Sequence, residues 1–223
     1  MIPPRRRPAA ALLLLGACAL ALLSLLSSTP ADAQQQRVVV VGDSIILGAQ
    51  GPLTSAFTNQ GWAVTYDAAV SRSTSAGLGA IEAHRAELTD SLVVSLGAND
   101  AGNPSTFRQR VQAILDATAT VPHVYWVTIR EVRDYYGPAN QIVREVAAGR
   151  PNVTVVDWHA ATAGATDLTS SDGLHLNGAG AAKMAQVVSD AVVSGALPAA
   201  AVPPPLPTTA APPPTTAAPP TTA

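Results

Sequence analysis

The chain has 223 residues, 48% of them hydrophobic, with 13 Lys and Arg against 15 Asp and Glu, 19 prolines and a single cysteine. A slight net negative charge, with no basic cluster beyond Arg7, excludes nucleic-acid binding by phosphate neutralisation. One cysteine excludes a disulfide framework and any zinc site built on thiolates.

Met1 to Ala33 has the three parts of an export signal. Arg5, Arg6 and Arg7 give a positive start, Ala9 to Leu26 is apolar, and Ala31-Asp32-Ala33 supplies a small-x-small cleavage site. A cleaved leader is expected, with a new N-terminus at Gln34. The alternatives are an uncleaved anchor and lipidation at Cys18 within Leu15-Gly16-Ala17-Cys18. Cleavage after Ala33 removes Cys18, three arginines and Asp32. It leaves 10 basic and 14 acidic residues, a net charge of −4.

From Arg37 to Ala196 short apolar runs alternate with helical runs, the length of one ordinary domain. Val38 to Val41 reads as a buried strand and Leu47 to Gln60 as a helix closed near Gly61. Ala63 to Val70 reads as a second strand, and Ser73 to Glu87 as a helix. Leu92 to Leu96 is a third strand, followed by a helix over Thr106 to Thr120. His123 to Ile129 is a fourth strand. Pro138 is placed to open a helix running to about Ala148. Val153 to Val156 is a fifth strand, and Gly178 to Val193 closes the domain as a helix. Apolar strands separated by helices predict a parallel sheet covered on both faces. The expected fold class is α/β, a three-layer, doubly wound, flavodoxin-like sheet of five strands. Residues 197 to 223 are Pro, Ala and Thr repeats that cannot bury a core. A disordered tail is expected there, with a wall-spanning spacer as the alternative.

Ligands in such sheets bind beyond the carboxyl ends of the strands. Four polar segments follow strands: Gly42-Asp43-Ser44, Ser71-Arg72-Ser73, Gly97-Ala98-Asn99-Asp100 and Asp172-Gly173-Leu174-His175. Each alone is also good turn chemistry. Together they match what ester cleavage needs. A serine hydroxyl needs an adjacent base, and histidine has the pKa for that work. An acid on the second ring nitrogen fixes the tautomer. Ser44 is the candidate nucleophile, His175 the base and Asp172 its partner. Backbone N–H groups after Ser44, together with the Asn99 amide, are candidate oxyanion donors. Asp43 is read as organising the loop, and Asp100 as holding the Asn99 segment. Tyr135 and Tyr136 are candidates to line a substrate cleft or, equally, to form an exposed loop pair. His84 is read as a surface residue, His123 and His159 as structural, and Trp62, Trp126 and Trp158 as packing.

VVVVGDSIILG, VVSLGAND and SSDGLHLNGAG resemble, in order, three blocks of the SGNH, or GDSL, hydrolase family. The resemblance spans about Arg37 to Val193. It implies an esterase or acyl-transfer fold with a Ser-His-Asp triad and neither metal nor cofactor. It also implies an oxyanion hole made by the serine N–H, a second-block glycine N–H and the third-block asparagine. By motif position these roles fall on Ser44, His175, Asp172 and Asn99. The second block departs from the pattern, because DAAVSRSTSAG offers Ser71 and Arg72 in place of glycine. Either N–H is a candidate donor, and the Arg72 side chain is a candidate for substrate contact or, equally, for packing within the loop. The form DAxVxRxS is similar to SGNH domains of peptidoglycan O-acetyltransferases and related actinobacterial exported proteins.

The expectation is a monomeric secreted serine esterase acting on a small acyl ester or acylated cell-envelope carbohydrate. The alternatives are an O-acetyltransferase to wall glycan and a non-catalytic wall-binding protein attached through the tail.

Overall fold

The structure is a computed structural model and describes residues 35–196. The expected leader, Cys18 and the tail lie outside the described residues. Five strands form one sheet: β1 (Arg37–Gly42), β2 (Ala63–Ala68), β3 (Ser91–Ser95), β4 (His123–Val127) and β5 (Val153–Val156). Their order is β2-β1-β3-β4-β5, and every neighbouring pair is parallel. This is the doubly wound arrangement that the alternation of runs predicts.

The inner strands of the sheet are mainly apolar because both their faces are covered. Val38 to Val41 are wholly buried, as are Leu92, Val93, Val94, Val124 and Trp126. Each such side chain contributes roughly 1.5–3 kcal/mol relative to exposure. On one face lie α2 (Gln50–Thr58), α6 (Trp158–Ala161) and α7 (Gly178–Ala196). On the other lie α3 (Thr74–Ala83), α4 (Pro104–Ala117) and α5 (Tyr136–Ala147). Trp62, Trp126 and Trp158 are all core residues, as expected of them. Among the described residues no helix is long and apolar enough to cross a membrane.

Among the helices that differ from expectation, three do so for a clear local reason. The helix expected over Leu47 to Gln60 starts earlier and divides into α1 (Ser44–Leu47) and α2. Asp43 caps α1 through its carboxylate, at 3.0 Å from the Ile45 N–H. Pro52 has no N–H to give the Gly48 carbonyl, so the helix restarts with the proline in its first turn. The helix expected to reach Glu87 ends at Ala83 and continues as a 3₁₀ turn, Arg85–Glu87. The helix expected to open at Pro138 begins at Tyr136, which leaves Pro138 in the first turn, where its missing N–H is unneeded.

The strand order reverses beside β1. Its two neighbours, β2 and β3, are reached by crossovers on opposite faces, so a crevice opens above the carboxyl ends of β1 and β3.

Candidate active site

Gly42 closes β1 where nothing larger fits. A Cβ there would stand 2.3 Å from Ile46 Cγ2 and 2.9 Å from the Ser95 carbonyl. The chain then turns sharply, the Asp43 N–H bonding to the Ser95 carbonyl at 3.0 Å. Ser44 becomes the first residue of α1, half-buried at the strand end. Its N–H has no carbonyl within the helix to meet. Asp43 is buried, and burial pushes its carboxyl up to about 6 against the pull of the Ile45 and Ala98 N–H groups.

The second component comes from the segment between α6 and α7. Asp172 Oδ1 accepts from Leu174 N–H (3.0 Å), His175 N–H (3.0 Å) and Ser170 Oγ (2.9 Å). That leaves Oδ2 for His175 Nδ1, 2.6 Å away. The His175 hydrogen bond, and then the Leu174 N–H, hold the Asp172 carboxyl well below the usual carboxylate range. An ionised carboxylate at Nδ1 places the ring proton there, so Nε2 is the acceptor. Ser44 Oγ lies 3.0 Å from that nitrogen. The structure brings Ser44, His175 and Asp172 together in one hydrogen-bonded row.

The segment carrying Asp172 and His175 is irregular apart from a bridge between Thr169 and Leu176. It is tied at several points. Asn177 caps α7 by accepting from Gly180 N–H, and its amide donates to the Asp167 and Thr169 carbonyls. Arg130, beyond the end of β4, donates to Thr169 Oγ1 and the Ala165 carbonyl. Gly180 lies so close to the Leu168 carbonyl that a Cβ would stand 1.8 Å from it. Sequence reading missed Ser170, Asn177 and Arg130 as supports. Of these, only Asn177 carries a local signal, as a capping residue just before a helical run.

Asn99 is exposed beyond β3, and its Nδ2 donates to the Arg72 main-chain carbonyl at 3.1 Å. Asp100 holds this segment as expected. It accepts from the Thr74 N–H (2.9 Å), Thr74 Oγ1 (2.8 Å) and Arg110 (2.6 Å). Arg72 is placed neither as an oxyanion donor nor as a substrate contact, and takes the loop-packing alternative. Its N–H closes a turn onto the Ala69 carbonyl at 3.3 Å. Its guanidinium turns inward, to Asp67 Oδ1 at 2.6 Å, instead of facing a substrate. Ser71 is the one non-glycine among the described residues with φ in the left-handed region, at 58°. That conformation favours glycine.

Tyr136 differs from expectation. It is fully buried, with its hydroxyl on the Ala98 carbonyl at 2.9 Å, and supports the Asn99 segment from below. Tyr135 is half-buried at the head of α5 and packs edge-on against Tyr136. His84, read as a surface residue, is half-buried between Asp67 and Glu87. His159 accepts the Glu131 N–H on Nδ1, and His123 opens β4, both structural placements.

A serine, a histidine and an aspartate are gathered above the carboxyl edge of a five-stranded parallel sheet in a three-layer α/β/α fold. The sequence model of the GDSL-like lipase/acylhydrolase family matches residues 40–183, and the chain belongs to that family. It is 35% identical over 97 residues to the O-acetyltransferase OatA of Staphylococcus aureus, covering 44% of this chain and 15% of that protein. It is 29% identical over 145 residues to the peptidoglycan O-acetyltransferase OatA of Listeria monocytogenes, covering 64% of this chain and 22% of that protein. The chain thus spans less than a quarter of the length of either relative. The C-terminal catalytic domain of Streptococcus pneumoniae peptidoglycan O-acetyltransferase A shares the fold. Its TM-score is 0.58 at 22% identity, over 72% of this chain and 94% of that one. TesA also shares it, with a TM-score of 0.62 at 20% identity, over 72% and 99% of the two chains.

Proposed function

We infer that the domain is a serine esterase that cleaves small acyl esters through an acyl-enzyme. The observation that supports it best is the row of contacts from Ser44 through His175 to Asp172, 3.0 Å and 2.6 Å long, at the carboxyl edge of the sheet. Ser44 Oγ attacks the ester carbonyl carbon while its proton passes to His175 Nε2. Asp172 stabilises the imidazolium. The oxyanion is met by the Ser44 and Ser71 N–H groups and the Asn99 amide. Collapse expels the alcohol, which takes the proton from His175. Water then attacks the acyl-enzyme, with His175 again as base, and releases the acid.

The substrate class that fits best is an O-acetylated carbohydrate of the cell envelope. Two relatives named as O-acetyltransferases support it, as does the export signal expected at residues 1–33. The same relatives favour a second reading, in which a sugar hydroxyl replaces water and the acetyl group is transferred.

A fluorophosphonate probe should label wild-type protein at Ser44 and leave Ser44→Ala unlabelled. Incubation with O-acetylated wall glycan, a triglyceride and an acetylated xylan should release acetate from the glycan fastest. Acetate that appears on an added sugar acceptor instead of in solution selects the transfer reading. Protein that never labels and releases no acid from any of the three is not an esterase.

A further inference from the structure

The Asn99 amide is fixed by a network that the reaction outlined above does not use. One N–H of Asn99 is committed to the Arg72 carbonyl at 3.1 Å. An amide group is planar, so fixing one N–H fixes the direction of the other. The position of the Arg72 carbonyl therefore decides where the second N–H of Asn99 points.

Arg72 is itself tied down. Its guanidinium donates to Asp67 Oδ1 at 2.6 Å, to the Asp67 main-chain carbonyl, and to the Gly42 carbonyl at 3.4 Å. One side chain thus joins the ends of β1 and β2 to the loop that carries Ser71. It is only 14% exposed, so water competes little for these bonds. Immediately before it, Ser71 holds a left-handed conformation, which a non-glycine residue keeps only when its surroundings impose it.

Asp67 is braced in turn. Its Oδ2 lies 3.2 Å from His84 Nε2, and His84 Nδ1 lies 2.9 Å from Glu87 Oε1. Glu87 also accepts from Thr65 on β2 and faces Arg37 on β1 at 3.6 Å. Two carboxylates, Asp67 and Glu87, face the two ring nitrogens of His84, and the cations Arg72 and Arg37 stand on their far sides.

We propose that Asp67 is a positioning residue for the oxyanion donor. It holds Arg72 so that the Arg72 carbonyl aims the Asn99 amide at the charge developing on an ester bound at Ser44. The inference rests on the esterase reading of the site. Oriented donors are worth far more than free ones because they need not reorganise as charge develops. Asp67 touches neither substrate nor reacting atoms; the proposed effect passes through Asn99, whereas an effect through the neighbouring Ser71 N–H would persist once Asn99 is alanine.

A double-mutant cycle on p-nitrophenyl acetate hydrolysis tests this dependence. Asn99→Ala should lower kcat by on the order of 10²-fold. Asp67→Ala should lower kcat about 10-fold with KM changed less than about 2-fold, and should have no further effect once Asn99 is alanine. Glu82→Ala, which removes the exposed Glu82–Arg85 pair at the end of α3, should leave kcat unchanged. Equal losses from Asp67→Ala in both backgrounds, or no loss in the wild-type background, overturn the proposal while leaving the esterase reading intact. A wild-type protein that neither labels with fluorophosphonate nor cleaves the ester overturns both. Where thermal unfolding shows that Asp67→Ala does not fold, Asp67→Asn takes its place. It removes the charge, keeps an acceptor toward Arg72, and should show a smaller loss with the same dependence on Asn99.

Discussion

The two components of the candidate site are built in opposite ways. Ser44 stands at the end of a strand whose valines are wholly buried, beside an aspartate that is 1% exposed. His175 and Asp172 stand on an irregular segment with side chains 50% and 47% exposed. The candidate nucleophile is placed by the core, whereas the candidate base and its partner are placed by hydrogen bonds of an irregular segment. The chemistry accounts for the division. A nucleophile works by location and needs an oriented N–H beside it. A base must exchange protons with what enters and leaves, and needs an open side.

The comparison breaks first if either component proves dispensable. Ser44→Ala should lower kcat by on the order of 10⁴-fold or more, with Asp172→Asn less severe at roughly 10²–10³-fold. The difference follows from exposure. Removing Ser44 deletes the attacking atom, while water can partly solvate an imidazolium that has lost a half-exposed carboxylate. Purified variants assayed at saturating ester, with circular dichroism to verify the fold, check both. An Asp172→Asn variant as inactive as Ser44→Ala would mean that this carboxylate does as much as a buried one.

The two aspartates give the next test, because their surroundings move them in opposite directions. Asp43 is raised to about 6, chiefly by burial. Its folded pKa lies above its unfolded value of 3.8, so the folded state holds the extra proton between the two. Its contribution to stability is therefore full below about 3.8 and is lost as pH rises through about 6. Over that window the loss is on the order of 2–3 kcal/mol. Asp172, depressed by its hydrogen bonds, runs the other way. Its contribution is present above the unfolded pKa and is lost as pH falls through the folded one. Asp43→Asn cannot titrate. Its stability relative to wild type should therefore rise by on the order of 2–3 kcal/mol between pH 4 and pH 7. Chemical denaturation at both pH values measures this, and a pH-independent difference would show that Asp43 titrates alike in the folded and unfolded states.

How much of this was legible in the sequence follows the same division. The core-built half was readable because burial leaves a periodic signature. Four valines before Gly42-Asp43-Ser44 gave the strand, its ending and the candidate nucleophile. Asp172 and His175 were readable because they are close in sequence and of a type that chemistry requires. Arg72 was left open between substrate contact and packing because a charged residue in a polar loop looks available, and nothing local says that its guanidinium folds back onto Asp67, five residues earlier. Tyr136 and His84 were misread for a similar reason. Their partners, Ala98 and Asp67, come from other elements and are fixed only by the packing of helices on the sheet. The break between α1 and α2 was within reach, since Pro52 announces it.

The smallest expected effect probes the hydrogen-bonded half from within. Ser170 Oγ supplies one of three donors to Asp172 Oδ1, at 2.9 Å, and the Leu174 and His175 N–H groups remain without it. A hydrogen bond to a carboxylate this exposed contributes about 1 kcal/mol, since water replaces much of it. Ser170→Ala should therefore lower kcat only about 3- to 5-fold, leave KM within about 2-fold, and change stability by less than about 0.5 kcal/mol. Ser170→Thr keeps the hydroxyl and should recover most of the activity. If Ser170→Ala instead falls as far as Asp172→Asn, the three donors act as one unit. The exposed half of the site would then be as tightly determined as the buried one.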